Sequence, residues 1–378
     1  MLRAEHVAAR AGWLLVLGFA ACSSHLDLGH DVADQGDPSN ISTSPSSDLD
    51  ASIPTDSGGA VTAPSTPTGS TCVGAPCFAG PVETLATSMG NARGLVVDAD
   101  NVFWAATTGQ ALMITPKDGS ETIAIPVPLG GPFRVVADDT NVYFTSSVGG
   151  YVAATPKAQR PSDAPRGPEG VRTLLADQPE PWALVVTSEG VYFSDNQAGT
   201  VKLVASDGSS VQTLVTGMSS GGELAVDADF LYYTDSGLGE VHAVDRVTKV
   251  DTLLVDGLEH PVAPVPRGDV LYFLELGTEA ANYEDGRLLS MPRTGGLAVP
   301  LIEQLDFPSG LAADSAAVYV CTRGSATNSP HGRIMRLADD GELSTLAVDQ
   351  AEPFAIAVDG NAVYWTTDAD NALRAIKR

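Results

Sequence analysis

Basic residues are scarce in this sequence, and their scarcity excludes two kinds of partner. The 378 residues include 21 Lys+Arg and 47 Asp+Glu, which gives a formal net charge of −26. Nucleic-acid binding is not expected, because phosphates are neutralised by Lys and Arg. The same deficit argues against docking of the protein surface on an anionic membrane, so membrane contact is expected only through a covalent lipid anchor.

Histidine and cysteine are also few, at six and four residues. No zinc-binding spacing, nucleophile elbow or phosphate-binding glycine loop occurs, so the sequence predicts no metal, no cofactor and no catalytic residue. Charged residues make up only 18% of the chain, whereas Gly and Pro are plentiful, at 38 and 25 residues. This composition is typical of a turn-rich chain and not of a helical one.

The apolar run near the N-terminus is too short to cross a bilayer, which takes about 20 residues. Residues 11–21 form this run, which follows two arginines and ends at Cys22. The segment resembles a bacterial lipoprotein signal, in which Cys22 becomes the lipidated first residue, although Phe19 stands where that signal usually has Leu. The alternative is ordinary secretory cleavage after Ala20. Residues 1–22 are therefore interpreted as a signal peptide.

The predicted location is the bacterial cell envelope, with the chain anchored by lipid. Several acyl chains together anchor a protein stably, which one chain does not. Ser23, next to the lipidated cysteine, resembles the pattern that sorts such proteins to the outer membrane. A periplasmic or secreted protein is the alternative.

Residues 23–80 have a composition that does not build a core. They contain seven Asp, no Lys or Arg, and no aromatic residue before Phe78. Such a segment cannot bury enough apolar surface to offset the entropy of ordering, so we interpret it as a disordered tether rich in Ser, Thr, Pro and Asp. Within it, Cys72 and Cys77 are predicted to form a small disulfide, because a metal site would need a His or a third Cys nearby.

From residue 91 onwards the sequence repeats itself every 40–49 residues. Each repeat can be divided into four short strands, and a period of this length is typical of β-propeller blades. The predicted fold is all-β, a seven-bladed β-propeller over residues 81–378, with six or eight blades as alternatives. The repeats are marked by the doublets Phe103-Trp104, Tyr143-Phe144, Tyr192-Phe193, Tyr232-Tyr233, Tyr272-Phe273, Tyr319-Val320 and Tyr364-Trp365.

The seventh repeat lacks its fourth strand, and a matching strand is found before the first repeat. Residues 82–89 match residues 211–218, a fourth strand of the third repeat, nearly position by position. We therefore expect an N-terminal strand to complete the last blade and close the ring, because closure pairs edges that would otherwise be exposed.

Two repeats carry a fuller form of the doublet motif, Tyr192-Phe-Ser-Asp195 and Tyr232-Tyr-Thr-Asp235. These residues resemble the Tyr-Trp-Thr-Asp (YWTD) repeats of low-density-lipoprotein-receptor-type propellers, and also NHL-like and TolB-like bacterial repeats. The resemblance covers residues 82–378 and implies a propeller, but such propellers include receptors, scaffolds and enzymes. Four repeats have Ala, Ser or Thr in place of the motif Asp, so the interblade bonding that this Asp implies is not expected in those blades.

The connections between repeats supply the first candidate binding residues. They precede the innermost strands and are expected to ring one end of the central channel, where Pro fixes the entry into each strand. Aromatic and acidic side chains at such a place can form a binding rim, or the aromatic ones can simply pack between blades. The candidates are Glu180, Trp182, Glu259, His260, Glu352 and Phe354.

Two long loops interrupt the regular period in the adjacent fifth and sixth repeats, at residues 277–286 and 324–332. Both join second and third strands, so they are expected side by side at the same end of the ring as the connections. Loops on a rigid scaffold often carry function, but long loops also persist without one, since loop closure costs little. The candidate contacts in these loops are Tyr283, Glu284, Asn328 and His331.

Three functions are compatible with this sequence. The favoured one is a lipid-anchored envelope propeller that serves as a binding or scaffolding module for a protein or small ligand. The alternatives are an envelope lyase or hydrolase that uses His260 with carboxylates, and a purely structural envelope protein. A single His–Glu pair is weak evidence for catalysis, so the weight is against an enzyme. An enzyme should bring His260 and two acids within about 3 Å of a common point.

Overall fold

The computed structural model describes residues 80–88, 90–128, 130–157, 170–220, 222–325 and 332–378. The predicted signal peptide and nearly all of the predicted tether lie outside these ranges, together with Cys22, Cys72 and Cys77. Predictions about those residues stay predictions. Within the described ranges, no helix is long and apolar enough to cross a membrane.

Seven four-stranded antiparallel sheets form the blades of a β-propeller. The first blade contains β2 (Ala92–Val97), β3 (Asn101–Ala106), β4 (Ala111–Pro116) and β5 (Ile123–Pro126). The second contains β6 (Val135–Ala137), β7 (Asn141–Ser146), β8 (Tyr151–Pro156) and β9 (Arg172–Leu175). The third contains β10 (Pro181–Thr187), β11 (Gly190–Asp195), β12 (Thr200–Val204) and β13 (Val211–Thr216). The fourth contains β14 (Leu224–Val226), β15 (Phe230–Asp235), β16 (Glu240–Asp245) and β17 (Asp251–Val255).

The remaining blades follow the same order of strands, from the axis outwards. The fifth contains β18 (Pro261–Arg267), β19 (Val270–Glu275), β20 (Gly286–Pro292) and β21 (Val299–Leu305), with a 3-10 turn at Glu279–Ala281. The sixth contains β22 (Pro308–Ala313), β23 (Ala317–Thr322), β24 (Gly332–Ala338) and β25 (Leu343–Gln350). The seventh contains β26 (Pro353–Val358), β27 (Ala362–Thr367), β28 (Ala372–Lys377) and, as its outermost strand, β1 (Glu83–Thr87).

Strand β1 closes the ring. It pairs antiparallel with β28, so that Glu83 lies opposite Ala375 and Thr87 lies opposite Ala372. The innermost strands contact one another in succession around the ring, and β26 contacts β2. The predicted all-β fold, its seven blades and its N-terminal closing strand are confirmed.

The aromatic doublets are explained by the packing between blades. Adjacent residues of a strand point to opposite faces of the sheet, so the two aromatics of one doublet enter two different cores. The first aromatic shares a core with the second aromatic of the next blade, and burying a side chain such as Phe contributes about 1.5–3 kcal/mol. The pairs are Phe103 with Phe144, Tyr143 with Phe193, Tyr192 with Tyr233, Tyr232 with Phe273, Tyr319 with Trp365, and Tyr364 with Trp104.

The loops alternate between the two ends of the ring, because adjacent strands run antiparallel. The connections between blades and the loops between second and third strands share one end, which we name the mouth face. The hairpins between first and second strands and the turns between third and fourth strands share the other end, the hairpin face. The candidate residues of the connections and long loops that the structure describes belong to the mouth face, whereas Asn328 and His331 lie outside the described residues.

An aspartate recurs at the hairpin face, five residues before most doublets. In the first blade, Oδ1 of Asp98 accepts hydrogen bonds from the amides of Asp100 and Asn101, at 2.9 and 2.7 Å. Such bonds hold the turn between two strands. The same two amide bonds are made by Asp138, Asp227, Asp314 and Asp359.

Ion pairs also join neighbouring blades on the hairpin face. At five junctions, an acid of the hairpin pairs with a cation that follows the third strand of the next blade. These pairs are Asp98–Lys157, Glu189–Arg246, Asp227–Arg293, Asp314–Arg378 and, across the ring closure, Asp359–Lys117. Between the fifth and sixth blades the charges are exchanged, with Arg267 in the hairpin and Asp339 after the third strand. At the junction between the second and third blades, Asp138 occupies the hairpin position and the uncharged Ser206 occupies the position after the third strand, so these two residues form no ion pair.

Candidate functional site

All seven innermost strands line a narrow cavity of about 170 Å³ on the ring axis. At the lining position, five of the strands have a small residue, namely Gly94, Ala183, Ala263, Gly310 and Ala355. A Cβ at Gly94 would lie 2.9 Å from the Cα of Arg134. Strand β2 can therefore approach the start of the next blade this closely because residue 94 is glycine.

The other two strands place opposite charges in the channel. Arg134 of the second blade and Glu223 of the fourth blade form a largely buried ion pair. The pair spans the intervening third blade, whose strand has only Ala183 at the equivalent position. Trp182 of that blade donates a hydrogen bond from Nε1 to Oε1 of Glu223, at 3.2 Å.

Three aromatic side chains pack together at the mouth-face end of the channel. The ring centroids of Phe133 and Trp182 are 4.4 Å apart, and those of Phe133 and Phe354 are 6.0 Å apart in an edge-to-face arrangement. All three side chains are buried. Trp182 and Phe354, predicted as rim residues with interblade packing as the alternative, thus lie below the rim and contact the charged groups around the channel.

Three arginines surround the ring of Phe354. The guanidinium carbons of Arg93, Arg134 and Arg323 lie 4.4, 5.0 and 5.7 Å from its centroid. A cation over an aromatic face is attracted by the ring quadrupole, but three like charges around one ring also repel one another. The arrangement therefore depends on acids close by.

Asp368 is the acid that joins two of these arginines. Its Oδ2 atom lies 2.9 Å from Nη2 of Arg93 and 3.3 Å from Nη2 of Arg323, and Asn91 donates to Oδ1 at 2.7 Å. Glu352 pairs with Arg323 as well. Burial lowers the pKa of Arg93 to about 10, with Arg323 and Arg134 acting in the same direction and Asp368 against it.

These side chains form one charge-balanced group, which we name the mouth cluster. It consists of three aromatic residues, three arginines and three acids. Its members are Phe133, Trp182, Phe354, Arg93, Arg134, Arg323, Glu223, Glu352 and Asp368.

A second group of predicted residues adjoins the mouth cluster. His260 and Tyr283 have ring centroids 6.4 Å apart, and Tyr283 packs edge-to-face on Phe307 at 5.1 Å. The guanidinium carbon of Arg323 lies 5.9 Å from the ring centre of Phe307, which links this group to the mouth cluster. Burial, and then the proximity of Glu279, raises the pKa of Tyr283.

The backbone is unusual at several residues of this region. His260, Phe307 and Glu352 have φ angles of 54°, 52° and 55°, and each precedes a proline. A residue other than glycine in the left-handed region costs roughly 1–3 kcal/mol and persists only where its surroundings impose it.

The remaining candidates do not join these contacts. Glu180 is half-buried on the mouth face, where burial and then the charge of Asp195 raise its pKa. Glu259 is exposed, and its amide donates to Glu275 at 2.9 Å. Glu284 lines a separate groove of about 880 Å³ between the fifth and sixth blades. Asn328 and His331 lie outside the described residues.

The interblade hydrogen bonds come from a different motif position than the resemblance implies. Asp235 accepts from the amides of Ser219 and Ser220, which lie in the connection that enters its own blade. The residue one position earlier in the motif makes the bond to the next blade. Thr145 donates to the Trp182 carbonyl at 2.7 Å, and Thr366 donates to the Arg93 carbonyl at 2.8 Å.

The sequence interpretation missed the three arginines, Glu223 and Asp368. A signal for two of them was present, because Arg323 and Asp368 directly follow the doublet strands of the sixth and seventh repeats. Four other repeats have Ser, Thr or Asn at that position. A second signal was Arg134, a cation at an innermost strand in a chain with few cations.

The geometry required of a catalyst that uses His260 with two acids is not found in the described ranges. The hydrogen bond of the His260 ring joins Nδ1 to the carbonyl oxygen of Ser236 at 3.1 Å. No carboxylate among the described residues bonds to that ring. Nor do those residues contain a group of three or more His, Cys, Asp or Glu side chains arranged to hold a metal ion.

No protein-family model matches the chain, and no curated protein matches it. Solved structures do resemble it in fold. Selenomethionine-substituted virginiamycin B lyase from Staphylococcus aureus gives a TM-score of 0.64 at 14% identity, over 79% of this chain and 98% of that one. U3-55K gives a TM-score of 0.60 at 14% identity, over 79% and 98% of the two chains.

The nidogen/laminin complex is also similar, with a TM-score of 0.50 at 19% identity, over 63% of this chain and 89% of that one. At such identities the comparisons show the fold alone. The neighbours include a lyase and a protein found in a complex, so the fold does not distinguish an enzyme from a binding module.

Proposed function

We propose that this protein is a lipid-anchored β-propeller of the bacterial cell envelope that binds a protein or small ligand with its mouth face. The observation that carries the proposal is the mouth cluster. Each of its three arginines stands at a repeat position that has no arginine in the other six blades, so the packing of the blades does not require them. Conserving the fold while varying the residues at one end of the ring is how propellers acquire binding sites.

Two alternatives are retained. One alternative is an envelope lyase or hydrolase, which the likeness in fold to a lyase supports. Against it, the only described hydrogen-bond partner of the His260 ring is a backbone carbonyl, which cannot act as an acid or base. A purely structural envelope protein would need no unrepeated polar cluster at the mouth. A binding or scaffolding role accounts for that cluster and needs no convergent catalytic groups.

Capture of envelope components by the purified chain tests the binding role. The variant His260→Ala/Tyr283→Ala alters the mouth face and should lose capture. The matched control, Val247→Ser/Leu297→Ser, changes two side chains of the hairpin face that are 88% and 81% exposed. Capture that survives in the mouth-face variant and disappears in the control would place binding at the hairpin face and contradict the proposal.

The anchor is tested separately, at Cys22. The Cys22→Ala variant should leave the membrane fraction as a soluble protein or remain unprocessed by the lipoprotein pathway. Detergent partitioning of the mature chain measures this. Unchanged partitioning of the variant into the detergent phase would reject Cys22 as the anchor, whereas a natural mature chain that stays in the aqueous phase would favour a periplasmic or secreted protein.

A further inference from the structure

The three arginines of the mouth cluster use only part of their hydrogen-bonding capacity. All of their ion pairs involve Nη2. Nη1 of Arg93, Nη1 of Arg323 and Nε of Arg134 are buried nitrogens without a hydrogen-bond partner among the described residues. Arg93 and Arg323 are themselves only 5% and 6% exposed. A buried donor without a partner costs about 1–3 kcal/mol, and more when it is charged, so an acceptor bound at these nitrogens would lower the energy of the cluster.

The charge of the cluster limits what that acceptor can be. Its three guanidinium groups are balanced by the carboxylates of Glu223, Glu352 and Asp368. A singly charged anion that replaces one of these carboxylates keeps the balance, whereas a phosphate dianion in the same place leaves one excess negative charge in a chain whose net charge is already −26. A neutral acceptor in that place would leave one positive charge uncompensated among arginines that repel one another.

The shape of the mouth cluster further limits the chemical class of ligand that it can bind. A guanidinium presents two parallel N–H groups that match the two oxygens of a carboxylate. The axial cavity beside Arg134 and Phe354 has a volume of about 170 Å³, below the roughly 300–1,000 Å³ of pockets for drug-sized ligands. It suits a small acid, or one carboxylate group of a larger ligand, with an apolar part against the aromatic rings.

We infer that the mouth cluster binds a carboxylate group, which takes the place of the Glu352 carboxylate on Arg323 and is held there by Arg93 and Arg134. Glu352 is the acid to be displaced because its side chain is 36% exposed, against 14% for Glu223 and 5% for Asp368. This inference rests on the proposed binding function and names the ligand chemistry of the same site.

Calorimetric titration of the purified full chain with benzoate tests the inference, with benzamide as the uncharged probe of the same shape. Benzoate should bind and benzamide should not. Glu352→Gln removes the competing carboxylate and should strengthen benzoate binding about tenfold, since a hydrogen bond to a charged group contributes roughly 1.5–3 kcal/mol. Arg93→Gln should weaken it by a similar factor. Arg333→Gln, which removes another mouth-face arginine that pairs with Asp306, should have no effect.

Several outcomes would overturn the inference. They are absence of benzoate binding in both the natural chain and Glu352→Gln, equal binding of benzamide, tighter binding of inorganic phosphate, or an equal loss in Arg333→Gln. Glu352→Gln changes a partly exposed residue, so the test does not depend on whether Arg93→Gln folds. If capture of envelope components still depends on His260 and Tyr283 while benzoate does not bind, the carboxylate inference fails and the proposed function stands.

Discussion

The hairpin face and the mouth face differ in how their charged side chains are arranged. On the hairpin face, five cations follow the third strand of their blade and pair with an acid of the preceding blade. On the mouth face, cations from the first, second and sixth blades converge on one side chain of the seventh, Phe354. Charge that is repeated with the period of the blades stabilises the ring, whereas charge that breaks the period identifies a candidate site.

The exchanged junction between the fifth and sixth blades sharpens this distinction. Arg267 occupies the hairpin position that is acidic in most blades, and Asp339 occupies the position that is usually basic. The pair is kept although both residues differ in charge from their equivalents. The hairpin face therefore requires complementary charges at the junction and not particular residues.

The largest expected effect is at Asp368, in the mouth cluster. The Asp368→Asn variant leaves two buried guanidinium groups without their shared carboxylate, and breaking a buried ion pair costs about 3–5 kcal/mol. The matched control is Asp370→Asn, two residues away, which removes a partly exposed pair with Arg374 and should cost about 0–1 kcal/mol. Denaturant unfolding measures both. Equal losses of unfolding free energy in the two variants would mean that the ion pairs of Asp368 stabilise the fold no more than the surface pair of Asp370 does.

A smaller loss is expected for Asp227→Ala on the hairpin face. This change removes two amide bonds of 2.8 Å and the ion pair with Arg293, at a net cost of about 1–3 kcal/mol. Asp138→Ala removes the equivalent amide bonds, but Asp138 has no ion pair among the described residues. The difference between the two variants in denaturant unfolding isolates the interblade pair and should be at most about 1 kcal/mol. A larger difference in unfolding free energy would mean that the interblade ion pairs are a main source of the stability of the ring.

The hairpin aspartates should also make stability depend on pH. Burial alone would raise the pKa of Asp227, but hydrogen bonds from the Phe230 amide and the Tyr232 hydroxyl outweigh it and lower the pKa. The pKa values of Asp98, Asp138, Asp314 and Asp359 are lowered in the same way.

Each of these carboxyls thus holds fewer protons in the folded than in the unfolded chain. Their stabilisation is complete above the unfolded pKa of about 3.9 and is lost as the pH falls through the lower folded values. The melting temperature should drop below about pH 4, and Asp227→Asn should make that drop shallower. A melting temperature that rises on acidification below pH 4 would contradict the assignment.

The smallest effect is expected from reversing an exposed pair. The double variant Arg267→Asp/Asp339→Arg restores the charge order of the other junctions and should unfold within about 0.5 kcal/mol of the natural chain. Each single variant places like charges together and should be less stable than the double variant. Single variants as stable as the double would show that this junction gains nothing from complementary charge.

Much of the fold could be predicted from the sequence, because the doublet is a local pattern that reflects the packing of neighbouring blades, seen in six shared cores. The site was predicted only in part. Trp182, Glu352 and Phe354 came from aromatic and acidic residues at the connections, and the structure brings them into one cluster. Arg93, Arg134 and Arg323 were missed because each stands alone in its repeat and no short spacing relates it to the others.

The sequence by itself determined the number of blades, the strand that closes the ring and the end of the ring where unrepeated residues lie. It could do so because alternating side chains and a recurring aromatic pair act within one repeat and its neighbours. Only the tertiary structure decided which charges meet. Asn91 bonds to Asp368 across 277 positions of the chain, and Arg134 pairs with Glu223 across an intervening blade. Those contacts follow from closing seven blades around one narrow axis, which brings residues together regardless of their separation in sequence.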